Sequence, residues 1–318
     1  MTKLLQIVSI SNDDSFNARI ANWAKVGAVH FQHFRDLAGA LTGSDITNSL
    51  VLLDVGSPLS STSEFISKSL PVNNTIACYQ GTADTCIDVI AKHPTIRAVI
   101  AKDSTMLACA LDDIVKSFTT KDDPTTSLKN FIPADAAVSN RIVKSSRQRN
   151  SCLDELMAKA STRSNFSDFA PMIATVAWEI LMNAIYSAPI DLATRSPKYA
   201  KVSRSTEIDL LENEYVDFTY FDADSAFGVI VRDKFGTLPQ KAIIESITRP
   251  LQKTGTSQFR DGNHGAGVGY HMIVQQVSLL SIRVIPGVST AITALFHQTK
   301  RRKDYMQVTP SVIFNFAT

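Results

Sequence analysis

The first 120 residues carry short, β-branched apolar runs, too brief for helices, separated by stretches with helical spacing. Leu4–Ile10, Ala28–Phe31, Leu50–Leu53, Thr75–Tyr79 and Ala98–Ala101 read as five strands. Asn12 and Asp13 are capping residues, and Phe16, Ile20, Trp23 and Val26 follow at helical spacing until Gly27 ends the helix. Glu64–Ser69, Ala83–Ala91 and Ser104–Phe118 fit further helices. Strands joined by helical crossovers pair as parallel neighbours, not as hairpins. The pattern therefore predicts a doubly wound, parallel five-stranded α/β domain over residues 1–118.

A polar, Pro-broken stretch, Thr119 to Ser127, reads as a linker at 119–134. Beyond it the pattern comes in blocks. Helical stretches are expected from about Ala136 to Ala160 and Phe169 to Tyr186. Strands are expected at Ser203–Asp209, Phe218–Phe221 and Val229–Asp233, and a helix at Pro239–Ile247. A Gly-rich polar loop to Gly269, a helix Tyr270–Val277 and strands Leu279–Ile285 and Ala291–Phe296 complete the expectation. Helices and mostly antiparallel strands in blocks predict a two-layer α/β sandwich over 135–318.

Composition narrows the function classes. The 318 residues are 44% hydrophobic and 19% charged, which excludes bulk disorder and suffices for about two cores. A formal net charge of +2 argues against a bulk nucleic-acid binder. Residues 1–120 hold 9 Lys/Arg and 11 Asp/Glu, and the remainder 23 and 19. No apolar run reaches membrane-span length, and the N-terminus lacks a signal-peptide pattern, so the expectation is a cytoplasmic protein with no membrane partner. Cys78, Cys86, Cys109 and Cys152 show neither CxxC nor zinc spacing and read as free thiols.

Three elements of the second half carry chemistry. In Trp178-Glu179-Ile-Leu-Met-Asn183-Ala184, Glu179 and Asn183 stand at i, i+4 on one face of an otherwise apolar helix. In Val229-Ile-Val-Arg-Asp233-Lys-Phe-Gly236, a strand delivers an Asp to its end and a Gly permits a sharp turn, a pattern also common in ordinary turns. Gly265-Ala-Gly267-Val-Gly269 enters a helix, where backbone N–H groups can meet an anion. The dinucleotide fingerprint fails, because Tyr stands at 270 and no strand precedes the loop; no Walker motif exists.

Their order, closed by Pro286-Gly287-Val-Ser-Thr290, resembles the GHKL superfamily of ATP-binding domains over roughly residues 135–300. That resemblance implies ATP or ADP with Mg²⁺ as ligand. It implies that Asn183 ligates Mg²⁺ and that Glu179 orients or deprotonates a nucleophile. It implies that Asp233 accepts from the adenine amino group with Gly236 giving room for the base. Gly265, Gly267 and Gly269 would then cradle phosphates, and Thr290 would support the adenine end. Residues 237–264 would form a lid, with Arg249, Lys253 and Arg260 able to reach phosphate and His264 beside the glycine loop. Tyr186 and Ser187 stand where many of these kinases carry a basic residue or His, and no His occurs between His93 and His264. A conventional self-phosphorylating histidine kinase is therefore not expected.

In the first half, Leu50-Val-Leu-Leu-Asp54-Val-Gly-Ser-Pro58, the acids after the first strand and Ile100-Ala-Lys102 resemble a response-regulator receiver domain. The resemblance makes Asp54 the phosphoacceptor candidate, with Lys102 and Asp13. Ser11-Asn12 or Asn12-Asp13 supplies at most one acid where a receiver needs two, so a degenerate pseudo-receiver is the stronger expectation. Arg141, Lys144, Arg147 and Arg149 are expected on one solvated helix face, and Lys300–Lys303 in a solvated tail. The chain thus reads as a bacterial-type signalling protein acting on a partner protein, with a homodimer left open. It either turns ATP over or serves as a non-catalytic nucleotide-dependent switch.

Overall fold

The structure, a computed structural model, describes residues 5–55, 70, 74–119, 130–164, 166–191, 196–199, 201–252, 269–297 and 309–316. The first half forms β1 (Gln6–Ile10), α1 (Asp14–Val26), β2 (His30–Phe34), α2 (Leu37–Gly43), β3 (Ser49–Asp54), β4 (Thr75–Tyr79), α3 (Ala83–Lys92), β5 (Ala98–Ala101) and α4 (Leu107–Thr119). Asp13 caps α1 through Phe16 N at 2.9 Å, and Asp36 caps α2 through Gly39 N at 2.7 Å. The five strands are parallel in the order β2-β1-β3-β4-β5. β2 begins two residues later than expected, because Ala28, not Gly27, takes the left-handed backbone (φ 52°) after α1. The helix expected at Glu64–Ser69 lies outside the described residues, as does 120–129 of the expected linker.

The second half forms β6 (Ala137–Val143), α5 (Ser146–Ser161), α6 (Ala170–Met182), β7 (Val216–Asp222), β8 (Ala226–Asp233), α7 (Gln240–Gln252), α8 (Gly269–Gln276), β9 (Leu279–Ile285), β10 (Ser289–His297) and β11 (Ser311–Phe316). Three expectations are overturned here. The single helix from Ala136 to Ala160 is a strand and then a helix: β6 pairs antiparallel with β7, and Ser145 caps α5 through Gln148 N at 3.2 Å. The basic residues consequently do not share one helix face. Arg141 leaves β6 to pair with Glu155, Arg147 pairs with Glu207, and Arg149 is buried against Asn150 and Met182. The strand expected at Ser203–Asp209 is a loop, with one isolated β-bridge between Asp209 and Ser145.

β11 was not expected and it organises the molecule. It pairs antiparallel with β5 (Val312 opposite Val99) and parallel with β9 (Ser311 opposite Leu279). The result is one 11-stranded mixed sheet in the order β2-β1-β3-β4-β5-β11-β9-β10-β8-β7-β6. Phe314 N donates to Arg97 O at 2.8 Å, and the Tyr79 hydroxyl donates to Pro310 O at 2.5 Å. Residues 1–118 and 135–318 therefore share a sheet across the expected boundary.

They also share cores. On one face α3, α5, α6, α7 and α8 cover a cluster that runs from Ala77, Tyr79 and Val99 through Val312 and Phe314 to Val229 and Phe296. On the other, α1 and α4 bury Ile7, Leu50, Ile76 and Ile100 together with Phe221, Ile230, Leu279 and Ile313. A buried ion pair, Arg283 to Asp113 at 3.6 Å, links β9 to α4, and α3 packs on α7 and α8. Ser167–Ser187 is the one described helical stretch long and apolar enough to cross a membrane, but it is mostly buried in this core, packed on α5, α8 and the sheet.

Candidate functional site

α6 carries Glu179 and ends in a wide π turn, Asn183–Ser187, in which Ala188 N donates to Asn183 O at 3.0 Å. Such single-turn π segments recur at functional sites. Glu179 and Asn183 face a cavity of about 480 Å³ between α6, β8, β10, α7 and the start of α8. Asp233 enters it from the end of β8, Thr290 from β10, and Gly269 and Tyr270 from α8. Ile180, Val231, Leu238 and Ile292 form its apolar walls. Glu179, Asn183, Asp233, Gly269 and Thr290, expected from separate motifs, thus line one space.

Asp233 is buried, and its Oδ1 accepts from Phe235 N (2.9 Å), Gly236 N (3.3 Å) and Thr290 N (3.3 Å). Burial pushes its carboxyl above the ordinary value, and the three N–H donors oppose that shift. Among the described residues no hydrogen bond uses Oδ2. The Thr290 hydroxyl lies near enough to favour the charged carboxylate, yet this buried oxygen has no hydrogen-bond partner among the described residues. The buried Tyr270 hydroxyl stands in the same relation to Asn183. Two orphaned hydroxyls in one cavity are what a polar ligand would satisfy.

Glu179 is half-buried. Burial pushes its carboxyl up, and the positive charge of Arg204 opposes that. A Cβ on Gly269 would stand 2.7 Å from Glu179 Oε2, so the glycine lets the head of α8 close on the carboxylate. Gly236 does something different from what was expected. It has φ +61°, and a Cβ there would stand 2.0 Å from Ile285 O. The room it makes is filled by the β9–β10 turn, which holds Thr290 against Asp233; Gly236 itself does not line the cavity.

Gly265, Gly267, Lys253, Arg260, His264 and the basic stretch 300–303 lie outside the described residues. The first part of the expected lid, residues 240–252, is helix α7, which contributes Ala242, Ser246 and Arg249 to the cavity wall. Arg204, which lines the cavity, was missed. It lies in the loop read as a strand, and the only pointer was Tyr186, whose hydroxyl donates to Thr206 O at 2.9 Å and Arg204 O at 3.3 Å.

A second cluster sits at the ends of β1, β3 and β5. Lys102 Nζ lies 2.8 Å from Asp54 Oδ2 and 3.1 Å from Asp13 Oδ2. Burial would lower the Lys102 pKa, but the hydrogen bonds to Asp54 and Asp13 outweigh it and raise the net value. Asp13 is held below the usual carboxylate range, first by Phe16 N and then by Lys102. The buried Ser11 hydroxyl donates to Asp54 Oδ2 at 2.8 Å, and exposed Asn12 takes no part in these contacts. Two acids and one lysine meet here, and no group of three or more metal-ligating side chains occurs among the described residues. The four cysteines are free.

No protein-family model matches the chain, and no curated protein matches it. Among solved structures, the chain is similar to the Legionella pneumophila response regulator LqsR, with 11% identity, 93% of this chain and 88% of that chain covered, and a TM-score of 0.27. A likeness at that TM-score carries no weight for fold or function.

Proposed function

We propose that the chain is a signal-transduction protein of GHKL type that binds ATP or ADP with Mg²⁺ in the cavity below α7. In this reading a receiver-like half regulates ATP hydrolysis or phosphotransfer to a partner protein. The observation that carries the reading is the meeting of Glu179, Asn183, Asp233, Gly269 and Thr290 around one cavity of about 480 Å³. That volume lies within the range of small-molecule sites. Asp233 Oδ2 and the orphaned Thr290 hydroxyl face a ligand edge that both donates and accepts, as adenine does, and the apolar walls suit a planar ring.

The donor set fits Mg²⁺, which takes few protein oxygens and completes its shell with waters and phosphates. Asn183 would hold it, with Glu179 one helical turn away. When bound, the ion would neutralise charge on the transferring phosphate. Glu179, pushed by burial toward greater proton affinity, would accept a proton from an attacking water or hydroxyl. Asp54 is read as a non-phosphorylated site, because Ser11 occupies the place beside it where a second acid would be needed.

The second reading, a nucleotide-dependent switch without turnover, draws on the packing of α3 against α7 and α8, which ties the cavity wall to the receiver-like half. Incubation with γ-labelled ATP separates the two. Turnover that falls about 10²–10⁴-fold in Glu179→Gln, with binding retained, supports catalysis. Binding with negligible wild-type turnover supports the switch. Loss of binding together with turnover in Glu179→Gln removes the base assignment.

A further inference from the structure

Arg204 reaches the cavity from loop 201–206, and the backbone of that loop is set by the π turn of α6. Tyr186, in that turn and buried, donates its hydroxyl to Arg204 O and Thr206 O. The same turn begins at Asn183, so one local distortion places both Asn183 and Arg204. The Arg204 side chain is half-buried and, among the described residues, has no ion pair and no hydrogen bond from its guanidinium. Three other buried or partly buried arginines are paired: Arg163 with Asp222, Arg232 with Asp217 and Arg283 with Asp113. A guanidinium brings a fork of N–H donors matched to phosphate oxygens, and the charge it acts on here is the Glu179 carboxylate.

The cavity is therefore polarised. Asp233 and the Thr290 hydroxyl mark one part of its wall, and Arg204, its guanidinium without a hydrogen-bond partner among the described residues, lines it together with Glu179, on whose carboxylate its charge acts, and Asn183. We propose that Arg204 anchors the phosphate chain of the nucleotide and sets the preference of the site for phosphorylated ligands over nucleosides. This rests on the nucleotide reading above. Arg204 acts here as a binding and specificity residue, distinct from the glycine loop that the family resemblance assigns to phosphate.

The test is isothermal titration of the full chain with adenosine, AMP, ADP and ATP in the presence of Mg²⁺, for the wild type, Arg204→Ala and Arg204→Lys. The wild type should gain affinity with phosphorylation. Arg204→Ala should lose about 10–100-fold for ADP or ATP, the scale of a charge-assisted hydrogen-bonded pair, with adenosine unchanged. Arg204→Lys should recover part of the loss, since it restores charge but not the fork. Equal ATP affinity in wild type and Arg204→Ala overturns the inference alone. So does an equal loss for adenosine and ATP accompanied by a lower melting temperature without ligand, which marks a structural role. A wild type that binds no adenine nucleotide overturns the nucleotide reading and this inference with it.

Discussion

Phe314 is the side chain through which β11 joins the two halves, and its removal should be felt in both. It is 2% exposed and belongs to the helix-covered core that spans Tyr79, Val99 and Phe296. Phe→Ala in such a site costs about 3–5 kcal/mol, transfer and cavity together. Against a typical total stability of about 5–15 kcal/mol, that is a large fraction. The chain has two tryptophans, Trp23 in α1 and Trp178 in α6, so each half carries its own fluorophore. Single-Trp variants, with the other replaced by Phe, report each half in urea titrations. Because the sheet and both cores run through β11, the two probes should give coincident transitions, and Phe314→Ala should shift both midpoints by the same amount. A Trp23 transition that stays in place while that of Trp178 moves would show two independent folding units and refute the shared-sheet reasoning.

Further outcomes follow from single residues. Gly236→Ala should destabilise the chain by more than the roughly 1–2 kcal/mol of a left-handed residue, because its Cβ would also displace the Ile285 carbonyl; a thermal melt like the wild type would contradict this. Glu179→Gln should raise stability at pH 7. The raised carboxyl of Glu179 favours folding fully below its ordinary value of 4.5, and that contribution is lost as pH rises through the shifted value. The advantage of the variant should thus shrink as pH falls toward that value, and a variant less stable than wild type at pH 7 would show that the charged carboxylate is satisfied in the fold.

The parallel strands of the first half were legible because burial on both faces writes uninterrupted apolar runs, as in Leu50–Leu53 and Ala98–Ala101. β6 was not. As an edge strand it exposes Val138 and Ile142, and its mixed pattern imitates a helix until Ser145 supplies the cap. β11 carries a readable Ser-Val-Ile-Phe run, but its partner Val99 lies more than two hundred residues away, and nothing local announces that pairing. At the site, Glu179 and Asn183 were visible because an acid and an amide on an apolar helix need a reason for burial, Asp233 because a strand delivers it to a Gly turn, and Thr290 only through the resemblance in motif order. Arg204 was invisible because its role depends on a loop held by Tyr186. Gly236 was correctly marked as a turn residue, but which backbone would fill its space could not be read from spacing.

The most direct test of the nucleotide reading is titration of wild type and Asp233→Asn with ATP and Mg²⁺. Asparagine keeps the shape of the side chain and the Oδ1 acceptor for Phe235, Gly236 and Thr290, but puts an N–H₂ where Oδ2 would accept from the base. The account predicts saturable wild-type binding, with affinity at least about 10-fold weaker in the variant and an unliganded melting temperature that stays near that of wild type. Absence of ATP binding in the wild type, or equal affinity in both proteins, would contradict it.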